Sequence, residues 1–158
     1  MLKLCHLQVI AISLSLAACG SSDKPPRLEN SKAGVEITDA RLVLPIVSGG
    51  AGAAYFTVNN GTDSPISIMT VEVAASTMAM MHETLDTGGH SGMQMLGKVD
   101  VPAHQSVAFA PGGKHVMVTG MSPQLKVNTV TYLTLTYADG DKSRTELPVV
   151  SPAAAAGE

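Results

Sequence analysis

The sequence predicts an all-β domain, an antiparallel sandwich or small barrel of about seven to nine short strands with Greek-key connections. Short runs rich in β-branched residues recur along it, and "NNGTDSP", "APGGK" and "ADGDK" stand between them as turn signals. In "VTYLTLTYADG", Leu133, Leu135 and Tyr137 share one face while Thr134 and Thr136 share the other, the period of two that a half-buried strand requires.

Taken in order, "GVEITDARLVL" (34–44) opens the folded part, and "GAAYFTVNN" (52–60) and "PISIMTVEVA" (65–74) follow on either side of "NNGTDSP". The stretch "MMHETLDTGGHSGMQM" (80–95) then holds four of the nine methionines and two of the five histidines. Its centre, "DTGGHSG", is turn chemistry and cannot supply a continuous apolar face. A hairpin closing through "DTGG" is expected, with His82 ending one extended segment and Met93 beginning the next. The runs "QSVAFAP" (105–111), "KHVMVTG" (114–120), "VTYLTLTYA" (130–138) and "SRTELPVV" (143–150) complete the set. With five aromatic residues and no tryptophan, the core must be built from Val, Ile, Leu and Met, so some methionines simply fill it.

The ends read differently. "MLK" followed by "LCHLQVIAISLSLAAC" pairs one positive charge with an apolar run too short to span a bilayer comfortably, and small residues precede Cys19, as in an export signal. Residues 16–19, "LAAC", resemble the bacterial lipobox. That resemblance implies removal of residues 1–18, a diacylglycerol on the Cys19 sulfur, and a protein anchored to the bacterial cell envelope, facing the periplasm or extracytoplasmic space. In a Gram-negative cell, Gly20 after the cysteine would suit outer-membrane delivery by the same resemblance, which leaves inner and outer membrane open. Residues 19–33 form a polar tether, 34–150 the folded domain, and 151–158 a disordered tail without periodicity or bulky apolar groups. Cys5 leaves with the signal and Cys19 carries lipid, so no free thiol remains for metal or disulfide chemistry. The processed chain keeps nine Lys and Arg against thirteen Asp and Glu, a net charge of −4 that suggests no nucleic-acid surface.

On a strand at "GGKHVMVTG", His115 and Met117 project from one face while Val116 and Val118 project from the other into the core. Two neighbouring donors with an apolar backing make half of a four-coordinate site, and His82 and Met93 are the candidates for the other half. Met95 lies two residues along the strand from Met93 and is a competing donor. Met80 stands in the same relation to His82. His90, in the glycine turn, is read as solvated, with a possible auxiliary role in capturing metal. Met78, Met81 and Met121 are read as packing or rim, His104 as a surface residue, and Glu83 as pointing to the opposite face. Thioethers favour soft Cu(I) over hard ions and Zn(II), and imidazole adds affinity without an oxidisable thiol. A blue-copper electron carrier would need a cysteine ligand, and a structural zinc site would leave the methionines unexplained.

The spacing His82, ten residues, Met93, twenty-one residues, His115, one residue, Met117 resembles the pattern of the periplasmic copper chaperones PCu(A)C. "AAYFTVNNGTD", "MMHET", "VPAHQSVAFAPGGKHVMVTGM" and "TYLTLTYADG" are similar to that family's blocks in the family's order. The resemblance implies a cupredoxin-like Greek-key β-sandwich, no enzyme, that carries Cu(I) on two His and two Met. It implies delivery to the binuclear copper site of cytochrome c oxidase subunit II or to a thiol-containing copper protein. The chain ends without the His- and Met-rich extension of some members, so one Cu(I) is expected, and Lys114 stands where an aromatic is more usual; a monomer is also expected. A copper-buffering or tolerance lipoprotein without a dedicated acceptor is the alternative. No nucleophile motif, paired catalytic carboxylates or phosphate-binding loop supports an enzyme. His82, beside the glycine turn, is expected to be the more mobile of the two histidines.

Overall fold

The computed structural model describes residues 31–87 and 90–155. The signal segment, Cys19, most of the tether, the hairpin glycines Gly88 and Gly89, and residues 156–158 lie outside the described residues.

Ten strands and one helical turn form: β1 Val35–Val43, β2 Gly52–Asn60, β3 Ile66–Val73, β4 Met78–Thr87, β5 His90–Met95, β6 Val99–Val101, β7 Ser106–Phe109, β8 Lys114–Thr119, β9 Val130–Tyr137, β10 Lys142–Val150 and α1 Pro152–Ala155. Their order across the sheet is β5-β4-β8-β2-β1-β10-β9-β3-β6, with β7 also paired to β2. Every pair is antiparallel except β1 with β10, whose short parallel contact joins the two halves at Leu42–Val149 and Val43–Val150. The long curled sheet brings the apolar faces of its halves together, as in the cupredoxin-like fold.

The core follows the two-residue period of the strands. On β2, Ala54, Phe56 and Val58 are buried; on β9, Leu133, Leu135 and Tyr137; on β8, Val116 and Val118. Phe56 and Phe109 stack at 4.4 Å between ring centroids, which seats β7 against β2. The turn signal "NNGTDSP" is held by one buried side chain. Asn60 Nδ2 donates to the carbonyls of Ser64, Val101 and Pro102, while its Oδ1 accepts from Thr62 N and Oγ1. A β-bulge interrupts β1 between Thr38 and Arg41, with Asp39 at φ 55°, a conformation that an aspartate tolerates. Gly52 opens β2 where a Cβ would lie 2.6 Å from the Val43 carbonyl oxygen, so a side chain there collides with backbone.

Three features add to the sequence reading at this level. Before residue 34 the chain already makes long-range contacts: the Lys32 ammonium bonds Asp139 and Asp141, and its backbone N–H donates to Ser143 Oγ. Those two carboxylates hold the Lys32 ammonium above its ordinary pKa, and Lys32 in turn holds the Asp139 carboxyl below its own. Within the expected disordered tail, Pro152–Ala155 makes one helical turn because Ser151 Oγ caps the Ala154 N–H and proline suits the first helical position. The third is β6, a three-residue strand too short to show any period.

Candidate metal centre

β4 runs between β5 and β8, and the register of these three strands builds the site. His82 stands opposite His115 on one side and opposite Met95 on the other. Met80 stands opposite Met117, one step along the strand pair, and Met93 stands opposite Thr84. Directly opposed residues in an antiparallel pair share a face, so these donors lie together. Met81, Val116 and Val118 fill the core on the other face, turning the donors away from it.

His82 is the centre of this arrangement. It is 9% exposed, and neither Nδ1 nor Nε2 has a hydrogen-bond partner in the protein. Leaving a buried polar group unpaired costs about 1–3 kcal/mol, so an imidazole in this state is a donor kept for something else. The His115 ring centroid lies 6.0 Å away at an interplanar angle of 41°. His115 Nδ1 sits 3.0 Å from the Gly113 carbonyl oxygen. A carbonyl can only accept, so Nδ1 carries the proton and the Nε2 lone pair is free for a metal. Gly113 also accepts from the Thr84 N–H at 3.2 Å, tying the "PGGK" turn to β4.

Carboxylates are kept out. Glu83 and Lys114 pair at 2.7 Å on the face opposite the histidines. Among the described residues no three His, Cys, Asp or Glu side chains converge. The donors that share a face with the two histidines are thioethers, which favour a soft ion over a hard one.

The structure brings together His82, His115, Met117, Met80 and Met95 along adjoining rows, and it sets Met93 one row further out. Met93 and Met95 are 64% and 65% exposed. His82 does not end its strand; it sits mid-strand with a paired neighbour on each side, so the expectation that it is the more mobile histidine gives way. The cause is the hairpin connection. A four-residue turn through "DTGG" would put Met93 opposite His82, but Thr87 pairs with His90, leaving two residues between them and moving the register by two. His90 enters by this backbone pairing. Met81 belongs to the core, Met121 packs against Gly52, and Met78 is half exposed at the rim. His104 is a surface residue bonded to Asp63. The orienting carbonyl of Gly113 is absent from the expected set; the glycines before His115 in "PGGKH" were its signal.

The family model described as "Putative lipoprotein LpqE-like" matches residues 35–149. "Putative lipoprotein Lxx21020" of Leifsonia xyli subsp. xyli is 30% identical over 148 residues, 89% of this chain and 86% of its own length. Among solved structures, the copper-bound PCuAC domain from PmoF2 superposes with a TM-score of 0.62 at 21% identity, over 75% of this chain and 94% of that one. The CuI-DR1885 solution structure from Deinococcus radiodurans superposes with a TM-score of 0.57 at 27% identity, over 83% of this chain and 85% of that one. The sequence match spans the whole sheet from β1 to β10, and the chain belongs to the LpqE-like lipoprotein family, built on the cupredoxin-like fold of the PCuAC domains.

Proposed function

We propose that this protein is a Cu(I) metallochaperone of the cell envelope, carrying one copper ion on His82, His115, Met117 and Met93 and held to a membrane by lipid on Cys19. The observation that carries the reading is the His82 imidazole, buried with two unpaired nitrogens beside a histidine whose Nε2 is also free. Metal coordination satisfies a lone pair that no protein group satisfies, and the flanking thioethers make Cu(I) the fitting ion. The likeness to a copper-bound PCuAC domain and to CuI-DR1885 supports the same choice of cargo. The acceptor fitting this cargo is a thiol-bearing copper site, of which the binuclear centre of cytochrome c oxidase subunit II is the leading case. Thioether and imidazole bonds yield to thiolate, so transfer runs downhill.

Anaerobic titration of the protein with Cu(I), and separately with Zn(II), tests this. One Cu(I) per chain, retained against excess Zn(II), is the expected outcome. Equal binding of both ions, or no Cu(I) binding at all, would remove the metallochaperone reading. Loaded protein that gives nothing to a purified oxidase copper domain would leave copper storage in its place.

A further inference from the structure

Among the described residues, the two ends of the strand order are built differently. β6, at one end, is three residues long; Asp100 within it bonds Ser67 and Lys98, and Pro102 follows directly. Shortness, charge and proline are the usual guards against a foreign strand. β5, at the other end, has six residues, no Asp, Glu, Lys, Arg or Pro, and an unshifted register against β4. Its two thioethers, Met93 and Met95, are both about two-thirds exposed. Met95 stands directly opposite His82, the most buried donor. An unguarded edge and a step from an exposed sulfur to a buried imidazole occur at the same place.

We infer that copper enters and leaves across the β5 edge, with Met95 as the handover ligand, and that the acceptor presents its sulfur on an extended segment able to pair with β5. The inference rests on the Cu(I) reading above and adds the route. A Cu–S bond to Met95 forms as a bond to a resident donor breaks, drawing the ion toward the edge. The acceptor thiol then loses its proton to solvent and its sulfur bonds the ion; the remaining resident bonds break as the acceptor's donors replace them, and the Met95 bond breaks last. Copper stays Cu(I) throughout and no electron moves. The backbone N–H and C=O groups on the free side of β5 supply the docking contacts, in the manner of strand addition.

The experiment compares wild type, Met95→Leu, Met78→Leu and His115→Ala. Met78 is an exposed methionine on β4 opposite Thr119, away from the histidines. Equilibrium affinity is read by competition with bicinchoninate, and transfer rate by stopped flow into a synthetic peptide of alternating Val and Thr with one central Cys. Met95→Leu is expected to hold Cu(I) within about threefold of wild type and to release it about tenfold more slowly, with Met78→Leu unchanged in both. Transfer from Met95→Leu at the wild-type rate overturns the inference. So does an affinity loss as large as that of His115→Ala, which would make Met95 a resident donor. A wild-type protein that takes up no Cu(I) instead brings down the metallochaperone reading, and that is seen before any variant is compared.

Discussion

At His82, function and stability pull in opposite directions. Both ring nitrogens are buried without a partner in the protein, an arrangement that costs the folded apoprotein stability. His82→Leu keeps a similar volume and removes the unpaired groups, so the apoprotein is expected to gain about 1–3 kcal/mol while losing Cu(I) affinity. His115→Leu should lose affinity without that gain, because it discards the bond to the Gly113 carbonyl. Thermal unfolding of the metal-free variants, beside chelator competition, checks the pair; a destabilised His82→Leu apoprotein would mean that its nitrogens are satisfied after all. In the wild type, falling pH should weaken copper binding, since up to two protons compete with the ion for the two imidazoles. A flat affinity from neutral to mildly acidic pH would argue against ligation by histidine. The identity of the donors was legible in the sequence because soft residues are rare and their spacing is distinctive. Which thioether faces His82 was not, because a two-residue difference in the hairpin connection moves every partner on β5.

Among the elements, β2 shows how closely the site depends on its backing. Gly52 lies opposite Val118 of β8, and the next residue, Ala53, lies opposite Met117. A methyl group at position 52 would meet the Val43 carbonyl at 2.6 Å and the Met121 methyl at 3.0 Å. Gly52→Ala is therefore expected to cost about 1–3 kcal/mol by overpacking, and to weaken Cu(I) binding through displacement of Met117. Denaturant unfolding and copper titration of this one variant measure both effects; an unchanged midpoint would show that the strand ends shift freely. Strands such as β2 and β9 were readable from composition because each is eight or nine residues long and alternates between buried and half-buried residues. β6 was not, since "VDV" owes its strand character to pairing with β3 and not to any local pattern. The anchoring of Lys32 was hidden for a similar reason: its partners Asp139 and Asp141 lie more than a hundred residues away.

Across the whole molecule, the two halves of the sheet meet where the first strand touches the last. β1 and β10 pair in parallel at Leu42–Val149 and Val43–Val150, the Leu44 N–H donates to the Val150 carbonyl, and Lys32 reaches across to the turn between β9 and β10. Removing residues 142–150 strips Leu147 and Val149 from the core along with that junction, and the shortened chain is expected to lack a cooperative thermal transition. A sharp transition in the shortened chain would show that the first half stands alone. The same junction sets a schedule. A chain that emerges from its N-terminus can form local hairpins such as β4–β5 early, but it cannot close until its final strand has arrived. Contacts so distant in sequence fold on the slow side, in about milliseconds to seconds. In that interval any β4–β5 hairpin that forms lacks its β8 neighbour, so the order of assembly leaves the His82 imidazole in solvent before the closed sheet can bury it.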